Sequence, residues 1–439
     1  MGSYIPTTDR EREEMLASIG VSSIDDLFSQ IPEEVKIHGG CGLPAGRSEM
    51  EVRTLLETLA GKNKVYPSVF RGAGAYRHYI PEIVRSVVSK EEFVTAYTPY
   101  QAEISQGVLQ SIFEYQTMIC RLTGMDASNA SLYDGASAAA EGVAMCRDRK
   151  RTQVLVSGAA HPDTIRTIQT YCFGNGMECV VVPVKDGETD LEFVRAHAGG
   201  STACLYLQHP NFYGILEDAQ ALGDAVHQAG GKFLMGVNPI SLGILKTPAE
   251  YGADIAVGEG QPLGMPLSFG GPYLGFMACV SSLTRKLPGR IVGETVDNRG
   301  QRGYVLTLQA REQHIRREKA SSNVCSNQAL CAMTAAVYLA AMGPDGLRQA
   351  ALQCASKASY LQKGLAEAGF PLVYAKPFFH EFVTRTPVPA LEVEAFLGRE
   401  GILSGYPLGE REMLWCCTEA NTKEEMDRLL QLVKGGVQR

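Results

Sequence analysis

Four stretches of this 439-residue chain carry side chains able to do chemistry on a small molecule. Gly135-Ala136-Ser137 sets two small residues and a hydroxyl in front of a helical run, 138–146. A helix N-terminus offers free backbone N–H groups and the positive end of a dipole, so Ser137 suits an oxyanion cradle or an ordinary N-cap. His161-Pro162 follows a strand-like run, 153–157, where an imidazole either stacks on a flat ligand or serves structure alone. Tyr97-Thr98-Pro99-Tyr100-Gln101-Ala102-Glu103 places two phenols, an amide and a carboxylate just before a helix, a set that can orient a zwitterion. Arg71, within Phe70-Arg71-Gly72-Ala73-Gly74-Ala75-Tyr76, is a second candidate for pairing with a carboxylate. Both loops have a plainer reading, as packing at a subunit interface.

The elements that must position these groups follow from periodicity. Residues 153–157, 178–184, 203–207, 232–237, 254–257 and 274–280 read as short strands, with helical patterning over 138–146, 164–172, 191–197 and 218–229. This alternation predicts an α/β fold whose mostly parallel sheet is covered on both faces. Ile104, Val108, Ile112, Tyr115, Ile119 and Leu122 recur at threes and fours, which predicts a helix over 103–122 with one buried stripe. Residues 1–60 are polar and helix-rich, with helix starts at 9–14 and 23–28 and a stop at Pro32, and read as an arm. After 325, a long apolar helix over 328–342 leads to strands near 380–384 and 413–417 and helices near 391–399 and 423–433. The expected organisation is therefore an arm (1–60), a large domain (61–325) and a small C-terminal α/β domain (326–439).

Composition narrows the function classes. The net charge is −7, with basic and acidic residues interspersed, so no nucleic-acid surface is expected. The densest basic stretch, 311–319, contains Glu312 and Glu318 and reads as one mixed helical face. No apolar run looks long enough to span a bilayer, and the first twelve residues are too polar for a signal or transit peptide. A cytoplasmic protein with reduced thiols is the expectation. The twelve cysteines include no C-x-x-C pair, and Cys416-Cys417 lie inside an apolar run, so buried small hydrophobes rather than metal ligands are expected.

A large parallel-sheet domain, a long helix and a small α/β domain form the layout of fold type I enzymes dependent on pyridoxal phosphate (PLP). Such an enzyme needs a phosphate cradle, an acid at a strand end to hold the pyridine nitrogen protonated, and a lysine for the Schiff base. The strand 232–238 puts Met235 where the acid belongs, and a thioether cannot hold that proton by charge. Gln261 stands just after the next strand, where the lysine belongs, and an amide is not a nucleophilic amine. Lys246 and Lys286 are the nearest alternatives and sit in polar stretches expected to be solvated. Two losses at independent positions describe a chain that kept the fold and gave up the cofactor, which leaves Ser137, His161, Met235 and Gln261 as degenerate cofactor-site positions.

Longer segments carry a family resemblance. Tyr97–Gly107, with its Y-T-P-Y-Q-x-E-I-S-Q-G pattern, Arg311–Ala320 continuing to Asn323-Val324-Cys325 and Asn327–Cys331, Met265–Pro272 and Ile19–Phe28 resemble the glycine cleavage system P-protein, in its α-subunit or N-terminal-half form. The resemblance covers essentially the whole chain. It implies an α2β2 enzyme whose β subunit binds PLP through a histidine–lysine pair, where this chain has Gly260-Gln261, and carries D-G-A-N where this chain has Met235-Gly236-Val237-Asn238. It further implies decarboxylation of glycine and transfer of the aminomethyl group to the lipoyl arm of an H-protein, with no cofactor and no catalytic residue in this chain alone. Two alternatives stand beside it: a self-sufficient PLP enzyme using another lysine, and a regulatory or scaffolding pseudoenzyme without a catalytic partner.

Overall fold

The computed structural model describes residues 6–436. They form two compact units that divide between Val65 and Tyr66. The first unit contains α1 (Asp9–Ser18) and α2 (Glu49–Ala60). Each starts with a capping box, Thr8 with Glu11 and Ser48 with Glu51, so the helices are closed locally. No described residue of this unit is buried.

In the second unit α3 (Gln106–Thr123) buries Leu109, Ile112, Tyr115 and Ile119. The expected stripe is thus shifted at its start: Ile104 lies before the helix and is 80% exposed. The central sheet has seven strands: β1 (Ala127–Ser128), β2 (Gln153–Ser157), β3 (Glu178–Val182), β4 (Thr202–His209), β5 (Lys232–Val237), β6 (Ile255–Glu259) and β7 (Gly275–Cys279). Their order is β1-β7-β6-β5-β4-β2-β3. β2 to β6 pair in parallel, while β7 runs antiparallel to β6 and β1. Alternate residues go to opposite faces, as the strand period of two requires. Leu205, Leu207, Phe233 and Met235 join one core with α3, while Cys204, Tyr206 and Leu234 join the other with α4 (Gly135–Cys146) and α5 (Pro162–Asn175). Further helices α6 (Leu191–His197) and α7 (Ala219–Gln228) connect the strands.

Three features depart from the sequence expectations. The stretch 311–319 is not one helical face: short turns at Gln309–Arg311, Gln313–Arg316 and Arg317–Lys319 are interrupted at the extended Glu312 and at Arg317 (φ 54°), and Arg311 donates to the carbonyl of Leu287. A hairpin, β8 (Ile291–Val296) with β9 (Arg302–Thr307), precedes it. The helix expected over 328–342 continues as α8 (Ala329–Glu367), broken at Gly343 (φ 61°) before Pro344. By length and hydropathy α8 could cross a membrane, which corrects the expectation that no run was long enough. Its apolar residues serve the core instead: Ala332 to Tyr338 and Leu347 to Cys354 pack against the sheet.

The C-terminal part builds a three-stranded sheet, β10 (Glu381–Arg385), β11 (Tyr406–Gly409) and β12 (Glu412–Cys416), in the order β10-β12-β11. With α9 (Ala390–Arg399) and α10 (Lys423–Gly436) it encloses Trp415, whose indole N–H donates to Thr384 Oγ1 at 2.9 Å.

Candidate functional site

In open α/β sheets the space beyond the carboxyl ends of parallel strands collects loops from several strands, and ligands bind there. A cavity of about 560 Å³ lies at that end of β2, β4, β5 and β6. His161 follows β2, Tyr206 and Gln208 lie on β4, Gly236 to Asn238 end β5, and Glu259 ends β6. Ala73 to Tyr76 and His380-Glu381 complete its wall. The lining includes four carboxylates, Asp134, Asp163, Glu259 and Glu381, and no lysine or arginine.

Gly135 and Ala136 line this cavity at the N-terminus of α4, as the sequence suggested, but Ser137 does not. Asp134, not Ser137, is the N-cap, and its Oδ1 accepts from the Ser137 N–H at 2.7 Å. Beside it, Glu259 Oε2 accepts from the Gly135 N–H at 2.9 Å, and Oε1 accepts from Gln261 and Leu274 N–H groups at 2.9 and 3.2 Å. Gly135 is required for this approach, since a Cβ there would lie 2.8 Å from the Glu259 nitrogen. Burial pushes the Glu259 carboxyl up to about 7, against the pull of the three amides. The helix end that would cradle a phosphate is therefore already served by two carboxylates of the chain itself.

Gln261 is fully buried and acts as a clamp. Its Oε1 accepts from the Tyr76 N–H at 2.9 Å, and its Nε2 donates to the carbonyls of Tyr76 at 2.9 Å and Met265 at 2.8 Å. Met235 lies in the hydrophobic core with Leu207 and Val237, outside the cavity lining. His161 is held rather than free: Nδ1 accepts from the Asp163 N–H at 3.1 Å, so Nε2–H donates to the Ala73 carbonyl at 3.1 Å. Its ring meets Phe212 edge-on at 5.0 Å. Neither alternative lysine reaches the cavity: Lys286 Nζ donates to the Met145 carbonyl, and Lys246 lies over the Tyr251 ring. These residues do not fit PLP. A phosphate would face two carboxylates at its helix, and no amine is present to form an imine.

The sequence reading missed Glu259, Asp134, Tyr76, His380 and Glu381. Glu381 Oε1 accepts from the Ala73 N–H and Oε2 from the Tyr76 hydroxyl, both at 2.7 Å. Burial raises the Glu381 carboxyl to about 7 and lowers the His380 imidazole to about 3. The available signal was an acid at the edge of each apolar strand, Glu259 closing β6 and Glu381 opening β10. Away from the cavity, three ligand-type side chains meet: His78 Nδ1 and Cys354 Sγ both bond Glu419 Oε2, at 2.7 and 3.3 Å.

The profile of the glycine cleavage system P-protein family matches residues 2–433. The chain belongs to that family. It is 50% identical over 441 residues to a protein of Moorella thermoacetica named probable glycine dehydrogenase (decarboxylating) subunit 1, with 99% of each chain covered. Among solved structures, a glycine decarboxylase (P-protein) of the glycine cleavage system in inhibitor-bound form superposes with a TM-score of 0.93 at 42% identity, covering 99% of each chain. An apo cysteine desulfurase from Thermococcus onnurineus NA1 shares only the fold, at a TM-score of 0.64 and 14% identity over 90% of this chain and all of that one. The fold is therefore that of the PLP-dependent fold type I enzymes. The words "subunit 1" imply that the named relatives have a partner subunit.

In this P-protein family member the remaining candidates do not join the large cavity. Arg71 Nη2 is committed to Glu394 Oε1 at 2.6 Å and to the Gly405 carbonyl at 2.9 Å, so it is not free to take a substrate carboxylate. Tyr97, Tyr100, Gln101 and Glu103 are exposed, Tyr97 by 85%. Tyr97 lines a second, smaller cavity, and the Tyr100 hydroxyl meets Arg290 Nη2 at 3.0 Å. The candidate residues therefore fall in two places, the cavity at the strand ends and an exposed loop.

Proposed function

We propose that the chain is the subunit of a two-subunit glycine decarboxylase that does not hold PLP. In this reading a partner subunit of the same fold holds the cofactor, and the two assemble as α2β2 in the cytoplasm. The complex releases the glycine carboxyl group as carbon dioxide and passes the aminomethyl group to the lipoyl arm of an H-protein. The observation that carries the reading is the cavity without an amine, with Glu259 on the Gly135 amide and Gln261 on the Tyr76 backbone, in a full-length relative of subunit 1 proteins. Twelve unpaired cysteines are consistent with a reducing compartment.

The chain's own groups then act by shape and position. Gln261, His161 and Glu381 fix the 70–76 loop against the sheet, and Glu259 ties the Gln261 backbone to the start of α4 at Gly135. Tyr97 and its neighbours present phenol, amide and carboxylate groups outward, available to a partner's active-site entrance.

The test is co-expression with a P-protein partner chain that carries a histidine–lysine pair. The complex should exchange bicarbonate into glycine when H-protein is added, and borohydride should fix PLP to the partner alone. Fixation of PLP on a peptide of this chain, or a chain that forms no complex, would overturn the proposal.

A further inference from the structure

Arginine stays charged at any physiological pH, and burying a charge without a counter-charge costs several kcal/mol. Buried guanidinium groups are therefore paired with carboxylates or held by hydrogen bonds on every nitrogen. Arg290 has neither form of compensation in full. It is 4% exposed and makes no ion pair among the described residues. Its Nη2 donates to the Tyr100 hydroxyl at 3.0 Å and its Nη1 meets Asn327 Oδ1 at 3.5 Å. Its Nε is buried without any acceptor. The Tyr100 ring lies 5.2 Å from the guanidinium carbon, a cation–π contact that offsets part of the charge.

This guanidinium forms part of the wall of the smaller cavity, about 240 Å³, between the 93–99 segment, the start of α3 and the start of α8. Phe93, Ile112 and Met333 supply apolar wall, while Thr98 and Ser111 add hydroxyls. No carboxylate lines it. A second guanidinium follows in the chain with the same deficit: Arg311 has Nε and Nη2 buried without acceptors.

We propose that the Arg290 cavity is a binding site for an oxyanion, a carboxylate or phosphate group small enough for about 240 Å³. The guanidinium supplies the charge, Tyr100 and Asn327 hold it in place, and each terminal nitrogen keeps a second N–H for the incoming oxygen. The group can belong to a free small anion or to a chain docked on the exposed Tyr97 loop. The site does not depend on the proposed activity, because an oxyanion can bind whether or not the complex decarboxylates glycine.

Calorimetric titration of inorganic phosphate and of acetate, in low-salt buffer, tests this on the purified chain and on its complex with the partner. One equivalent should bind per copy of this chain. Arg290→Gln should weaken binding about tenfold or more, equal to about 1.4 kcal/mol or more, and Arg290→Lys should weaken it less. Tyr100→Phe serves as a second variant if Arg290→Gln fails to fold, and should weaken binding by freeing the guanidinium. Binding to both chain and complex identifies a free anion as the occupant. Binding to the chain that disappears in the complex identifies a group supplied by the partner. If neither form of the wild-type protein binds, or Arg290→Gln and Tyr100→Phe bind as the wild type does, the proposal is wrong.

Discussion

Replacing Gln261 by alanine tests whether this buried amide is structural. The amide is 1% exposed and makes three bonds, one to an N–H and two to carbonyls of the backbone. Alanine leaves the Tyr76 N–H and the carbonyls of Tyr76 and Met265 unpaired inside the protein. Each such group costs about 1–3 kcal/mol, and partial collapse relieves some of the sum, so the expected loss is about 3 kcal/mol. Urea unfolding followed by circular dichroism reads this directly as a lower midpoint at unchanged slope. Gln261→Lys gives a sharper form of the same test. An ammonium can still donate to the two carbonyls, but it leaves the Tyr76 N–H without an acceptor and brings no acid for a pyridine nitrogen. The variant should be less stable than wild type and should still take up no PLP on borohydride reduction. A Gln261→Ala chain within about 0.5 kcal/mol of wild type, the range of ordinary surface changes, would refute the clamp.

Other outcomes follow from the same geometry. Glu259 and Glu381 titrate near 7 in the folded chain against 4.5 ordinarily, so the folded state binds more protons between those values and stability falls as pH rises through that window, by up to about 3 kcal/mol per group. His209 and His380, pushed by burial down to about 4 and about 3, act in the opposite sense below about pH 6.5, so the measurement is the difference in melting temperature between wild type and Glu381→Gln from pH 5 to 8. The melting temperature of the wild type minus that of the variant should fall as pH rises; a constant offset would contradict the raised carboxyl. Gly74→Ala places a Cβ 2.9 Å from His161 Nε2 at φ 108°, so the 70–76 loop should become cleavable by trypsin at Arg71 or Arg77 under conditions where the wild type resists. In the assembled enzyme, Tyr97→Ala should lower glycine–bicarbonate exchange several-fold without shifting the melting temperature of this chain; unchanged exchange would remove the loop from the active-site entrance.

Much of the architecture was readable because it rests on strict periods. The strand at 153–157 and the helix at 191–197 follow from alternation and from helical spacing alone, and their bounds agree with the structure. The expected helix end at 342 coincides with the non-helical Gly343 before Pro344, and the helical stretch beyond it, on to Glu367, went unread. The hairpin Ile291–Val296 with Arg302–Thr307 escaped notice because its strands are half polar and bury residues without a strict alternation. At the site, what is missing was legible: a glutamine and a methionine can be recognised as wrong for a chemistry. What replaced it was not. That Glu259 reaches back to Gly135, 124 positions away, or that Glu381 meets Ala73 and Tyr76, is a consequence of tertiary closure that no local pattern encodes. Arg71 showed the converse: a residue type suited to substrate is spent on Glu394.

The web joining Gln261, Glu259, His161 and Glu381 to the 70–76 loop also bears on how such a chain can change. His161 and Glu381 share Ala73, Glu381 and Gln261 share Tyr76, and Glu259 holds the Gln261 backbone. A single step back toward a cofactor site leaves hydrogen bonds broken on its neighbours and recovers no ligand in exchange. The cost of a change at one of these positions is therefore spread over the loop and the strand ends together, and changes there should not add independently.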